Sequence, residues 1–127
     1  MTILREIFCS KTMAFMESNA FIQSLETCTS YNPTSLGFDG TIVGVSNGKC
    51  HVKYNGTTLT NEETQEQIKI NNCYFPISET KKIANTSRQI SAFFAKYLGQ
   101  SSLPEAEKTR MGSIVKEYFY VMKKYCR

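Results

Sequence analysis

The sequence predicts an α+β domain: an N-terminal helix, a three-stranded antiparallel β-meander, and two antiparallel C-terminal helices packed on the sheet. Three observations carry this. Helix-period apolar residues occupy the two ends of the chain. Strand-period residues rich in Val, Ile and Thr occupy the middle. An Asn47-Gly48 pair sits between two such runs, and this pair favours a type I′ turn because both central positions need positive φ. At 127 residues the chain is read as one domain, residues 1–127, able to bury a core of its own. It divides into a helical arm (1–27), a β core (28–76) and a helical pair (77–127).

Residues 3–27 carry Leu4, Phe8, Phe15, Ile22 and Leu25 near one helical face, with Arg5, Glu6, Glu17 and Gln23 elsewhere. This stripe reads as core. Its length also makes exchange of the arm between two copies, and hence a homodimer, a reading worth testing. Residues 28–40 change composition sharply. Pro33, Gly37 and Gly40 stand among Asn, Ser and Asp, marking an irregular loop.

The hairpin spans residues 41–54. With Asn47-Gly48 as its turn, Ser46 faces Lys49, Val45 faces Cys50, Val43 faces Val52 and Thr41 faces Tyr54. One face then holds Val43, Val45, Cys50, Val52 and Tyr54, and the other Ile42, Gly44, Lys49, His51 and Lys53. Residues 55–67 read as a polar segment, either one helical turn or a solvated loop, and 67–75 as the third strand, ended by Pro76. Glu62, Glu63 and Glu66 lack the glycine and alternating ligands of a calcium loop, so they read as solvated surface.

Ser78 is the expected N-cap of a helix running to Leu98, with Gly99 stopping it. Ser102-Leu103-Pro104-Glu105 reads as a capping box with proline in the first turn of the last helix. Met111, Ile114, Val115, Tyr118, Phe119, Met122 and Tyr125 form its apolar stripe.

Composition narrows function. The formal charge is +4, and Lys116, Lys123, Lys124 and Arg127 gather near the C-terminus, where they complement a helix dipole. No dense basic patch or aromatic RNA signature points to a specific nucleic acid. No apolar run approaches the roughly 20 residues of a membrane span. Charges interrupt the first 25 positions, so no secretory h-region forms in this chain.

The five cysteines, Cys9, Cys28, Cys50, Cys73 and Cys126, include no CxxC, and the single His51 is not at ligand spacing, so no metal site is expected. They are either buried thiols of a reducing compartment or up to two bridges and a leftover. The even recurrence of Cys28, Cys50 and Cys73 around the β region favours bridging there. Spacing does not say which cysteines pair.

Catalytic patterns are absent. Neighbours on a strand point to opposite faces, so Cys50 and His51 cannot form a nucleophile–base pair. There is no Gly-x-Ser-x-Gly, no phosphate-binding glycine loop and no redox CxxC. The expectation is therefore a non-catalytic binding or accessory protein without cofactor, whose partner is another protein. Tyr31, Phe38, Tyr74 and Phe75 are the candidate contact residues, with Tyr54 and Tyr120 as further aromatics outside a core stripe. The alternatives are an intracellular inhibitor or immunity-type protein with reduced cysteines, and a small carboxylate-dependent hydrolase.

The motifs Leu25-Glu-Thr-Cys28-Thr-Ser-Tyr31, Ile42-Val-Gly44-Val-Ser-Asn47-Gly48-Lys49-Cys50-His-Val and Asn72-Cys73-Tyr-Phe75-Pro76 resemble a group of small exported bacterial proteins of unknown function. Ser30 stands where that group has proline, and residues 56–66 are longer here. The resemblance implies a periplasmic or secreted setting with bridged cysteines, the cytoplasm being the alternative. It transfers no catalytic residue.

Overall fold

The structure, a computed structural model, describes residues 17–33, 39–61, 64–97 and 103–127. Its elements are α1 (Asn19–Thr27), β1 (Thr41–Ser46), β2 (Lys49–Asn61), β3 (Glu66–Pro76), a 3₁₀ turn (Ile77–Glu79), α2 (Thr80–Tyr97) and α3 (Glu105–Tyr125). The α+β class and the element order are those the sequence predicts.

Ser18 caps α1. Its backbone is extended and its Oγ accepts from the Phe21 amide at 3.1 Å, satisfying one of the helix's free N–H groups. The helix closes at Cys28, whose φ of 51° lets its own N–H and that of Thr29 return to Leu25 and Ser24. Phe21, Ile22 and Leu25 are the buried face. The expected arm residues Leu4, Phe8 and Phe15, and with them the dimer reading, lie outside the described residues.

The sheet is antiparallel in the order β1-β2-β3. Asn47 and Gly48 both take positive φ, 53° and 73°, and Ser46↔Lys49 and Val45↔Cys50 pair as predicted. Beyond them the predicted register fails. A bulge at Val43 and Gly44 shifts the pairing, so Ile42 rather than Val43 faces Val52, and Thr41 faces Lys53. Gly44 sits at φ 129°, a conformation that side chains disfavour. Ile42 is therefore the core residue, while Val43 and Val45 are 50% and 59% exposed.

The stretch read as polar loop is largely strand: β2 continues to Asn61, and β3 begins at Glu66 rather than Gln67. A second bulge, where Gly56 has φ 69°, separates the Lys53↔Asn72 and Thr57↔Ile70 pairs. Buried positions switch there from Cys50, Val52 and Tyr54 to Leu59 and Asn61, which is why simple alternation did not reveal one long strand. Glu62 and Glu63 lie outside the described residues.

The helices begin later than predicted. Ser78 falls inside the 3₁₀ turn, and α2 starts at Thr80, whose hydroxyl donates to Ile77 O and Glu26 O, both at 3.1 Å. Its predicted end at Leu98 and Gly99 lies outside the described residues. Pro104 is the N-cap of α3, without a side-chain cap bond, rather than a first-turn residue. Ser102, the predicted cap, lies outside the described residues.

One hydrophobic cluster joins Phe21 and Leu25 of α1, Val52 and Phe75 of the sheet, Phe94 of α2 and Met122 of α3. Two disulfides pin its margins. Cys28–Cys50 ties the end of α1 to the central strand, and Cys73–Cys126 ties the end of α3 to β3. Cys73 thus pairs away from the central region, with Cys126, one of the two cysteines outside the expected bridging set. Beyond it, Arg127 exchanges backbone hydrogen bonds with Asn72 at 2.8 and 2.9 Å, so the chain's last residues cover part of the outer edge of β3.

Candidate functional site

The least expected chemistry surrounds Glu17. Helical periodicity places it on a polar face, yet it is buried. Its carboxylate accepts from Tyr54 Oη at 3.1 Å, from Tyr118 Oη at 3.4 Å and from Ser87 Oγ, and its carbonyl accepts from Ser91 Oγ at 3.3 Å. One residue before the α1 cap is thereby fastened to β2, α2 and α3. Burial pushes the Glu17 carboxyl up to about 7, against the opposing effect of hydroxyl donors. Burial, with Glu17 beside them, also holds the Tyr54 and Tyr118 phenols well above their ordinary range.

Next to this centre, Asp39 accepts from Ser18 N at 2.7 Å and Ser18 Oγ at 2.6 Å, and from Tyr31 Oη at 2.9 Å. Its negative charge adds to the upward pressure on Glu17. The following glycine makes this approach feasible. A Cβ on Gly40 would lie 2.8 Å from Val52 Cγ1, 2.9 Å from Lys53 O and 3.0 Å from the Tyr54 ring.

Tyr118 links the buried carboxyl to a cleft between α2 and α3. The cleft has a volume of about 450 Å³, within the size range of ligand sites. Ile83, Tyr118, Val121 and Tyr125 supply its apolar and aromatic wall. Lys82, Lys124, Glu79 and Glu117 bring charges of both signs to it, and Tyr120, 41% exposed, stands beside them. The Tyr118 hydroxyl is committed to Glu17, so the cleft can offer ring surface and charged side chains to a guest.

The four aromatics predicted to meet a partner have separate fates. Tyr31 is half-buried, with its hydroxyl on Asp39 and its ring 5.7 Å from Phe21. Phe38 lies outside the described residues. Tyr74 stacks on His51 at 4.6 Å and carries the Arg127 guanidinium 5.3 Å from its ring centre. Phe75 is fully buried in the core, a correction: strand alternation turns it inward beside Cys73. Tyr54 is likewise buried, on Glu17. Of the described ones, Phe75 and Tyr54 are buried, so the structure does not bring Tyr31, Tyr54, Tyr74 and Phe75 into one surface.

His51 Nε2–H donates across the sheet to Asn72 Oδ1 at 2.9 Å, on the opposite face from Cys50. Among the described residues, no group of three or more His, Cys, Asp or Glu side chains could hold a metal ion. Nor is any described helix long and apolar enough to cross a membrane.

Sequence reasoning missed Glu17, the α2–α3 cleft and the Cys126 bridge. Only the last had a signal, since a bridged Cys73 needs a partner and Cys126 was available. Comparison with protein-family models, with curated proteins and with solved structures gives no match, so geometry alone bears on what this chain does.

Proposed function

We propose that this protein is a small non-catalytic binding protein of an oxidising, exported compartment, periplasmic or secreted in a bacterium, that holds another protein at the α2–α3 cleft. The observation that carries the reading is the cleft itself. It pairs an aromatic and aliphatic wall with a mixed-charge lining and an exposed Tyr120, the combination found where a partner's apolar anchor is surrounded by polar contacts. Two disulfides support the compartment, because bridges of this kind persist where thiols are not kept reduced. A hydrolase reading would need an acid that reaches a substrate, and the Glu17 carboxyl is buried on the Tyr54, Ser87 and Tyr118 hydroxyls and does not line the cleft.

A photo-crosslinking residue at Tyr120, in protein produced in the native host, tests the binding reading. One discrete protein adduct is expected, and it should weaken strongly when Val121→Glu places a charge in the cleft wall. An adduct indifferent to Val121→Glu, or none at all, overturns it. Alkylation of protein from that host checks the compartment. Two bridges leave one of the five cysteines reactive, whereas five reactive thiols would refute the exported setting.

A further inference from the structure

The face of the sheet turned away from the helices carries a row of rings that the strand register assembles. Cys50, Val52, Cys73 and Phe75 point into the core, so Lys49, His51 and Lys53 of β2, with Asn72 and Tyr74 of β3, lie on the opposite face. His51 stands between Tyr74 of β3 and Gly44 of β1. Its ring stacks on Tyr74 at 4.6 Å, close to one strand spacing. On the β3 side the Arg127 guanidinium continues the column, 5.3 Å from the Tyr74 ring centre.

On the β1 side the column stops. Gly44 has no side chain to add, and a Cβ built on it would meet no atom of the described residues within 4 Å, its chain neighbours aside. The face of the His51 ring turned from Tyr74 therefore borders an open slot above β1, floored by the Gly44 backbone. The bond from Nε2 to Asn72 Oδ1 at 2.9 Å holds the ring in this attitude. Tyr31 pairs with the β1 edge at Ile42, in the plane of the sheet, and its ring packs against Phe21 rather than into the slot. A planar aromatic guest would extend the stack by one ring.

Cations flank the slot. Lys49 and Lys53 lie two residues to either side of His51, roughly 7 Å along the strand in each direction. Both are exposed, and neither has an ion pair among the described residues. The nearest acids are engaged elsewhere: Asp39 holds Ser18 and Tyr31, Glu66 pairs with Lys123, and Glu79 lines the α2–α3 cleft. Positive charge on both sides of the ring suits a base with a phosphate to either side, which is a nucleotide within a chain. The base must be unpaired, because a duplex already stacks both of its faces.

We propose that this face binds single-stranded nucleic acid, with one base stacked on His51 above Gly44 and the adjoining phosphates on Lys49 and Lys53. Every base has a π-face to offer, so the binding carries no sequence preference. The site lies on the opposite layer from the α2–α3 cleft and is independent of it.

Fluorescence anisotropy of a labelled deoxythymidine oligomer of about eight nucleotides, titrated with the full chain at low salt, tests it. Saturable binding is expected, and an abasic oligomer of the same length and charge should bind about tenfold more weakly. His51→Ala should cost the same factor, that of one lost stacking platform, whereas His51→Phe should restore most of the affinity by restoring a ring. Lys49→Gln and Lys53→Gln should each reduce the slope of log affinity against log salt by about 0.7, the value for one single-strand phosphate contact. Absence of binding overturns the proposal. So does equal affinity for the abasic oligomer, or indifference to His51→Ala. Displacement of the oligomer by polyglutamate as readily as by unlabelled oligomer would also overturn it, and would assign the face to an acidic protein instead.

Discussion

Two regions of this molecule reverse the usual placement of side chains, and they do so by different means. Under the helices, a carboxyl is buried with three hydroxyls around it. At the hairpin end, two valines predicted for the core stand in solvent. The first reversal rests on side-chain chemistry: donors from β2, α2 and α3 converge on Glu17 and replace the water it loses. The second rests on backbone geometry: a one-residue bulge at Val43 and Gly44 gives the core position to Ile42 and puts Val43 out, while Val45, still paired with Cys50, stands uncovered on an edge strand. A buried polar group needs every partner in place, whereas an exposed valine needs none. The two regions should therefore respond very differently to substitution.

The largest effect is expected at the carboxyl. Glu17→Ala leaves the Ser87, Tyr54 and Tyr118 hydroxyls facing a gap, and should lower the stability to urea by about 3 kcal/mol or more. Close behind comes the response to pH. Folding raises the Glu17 pKa from 4.5 to about 7, so the folded state holds the proton more tightly than the unfolded one. The Glu17 contribution is then fully favourable below pH 4.5, and about 3 kcal/mol is lost as pH rises through 7. Urea midpoints at several pH values should show this decline in the wild type and a flatter profile in Glu17→Gln.

At the hairpin the effects shrink. Gly44→Ala forces a side chain into φ 129° and should cost about 2 kcal/mol by the same measurement. Val45→Thr alters only exposed surface, and its effect should stay within about 0.5 kcal/mol. A loss at Val45→Thr rivalling that of Glu17→Ala would erase the contrast between the regions.

The sequence disclosed the parts of this fold that depend on local chemistry. The Asn47–Gly48 turn needs two positive φ values, and the residues beside it paired as read. Met111, Val115, Tyr118, Phe119 and Met122 of the α3 stripe are buried as its period required, with Ile114 partly buried beside them. What escaped were features decided by distant contacts. Glu17 looks like any helical acid until Tyr54, Ser87 and Tyr118 arrive from three other elements. Phe75 looks like a surface aromatic until β3 is in register. The bulges at Gly44 and Gly56 reset the alternation that the reading depended on, and a glycine in a strand signals such a break without saying where the phase resumes. Of the candidate site, Tyr31 and Tyr74 keep partial exposure, but neither lines the α2–α3 cleft.

The two bridges have a consequence for how the chain must come together in an oxidising solution. Cys28 precedes Cys50 by 22 residues, and Cys73 follows it by one residue more. Closing either loop costs the unfolded chain nearly the same entropy, so Cys50 meets two competing partners on equal terms. The paired sheet breaks the tie. Cys50 stands opposite Phe75 and Cys73 opposite Val52, which makes the two cysteines diagonal neighbours on one face. Diagonal positions lie roughly 7 Å apart, beyond the reach of a disulfide. Correct oxidation thus waits on β2–β3 pairing, and the sheet acts as its own proofreader: once the strands are joined, among the described residues the sulfurs that reach these sites come from the end of α1, as Cys28, and the end of α3, as Cys126.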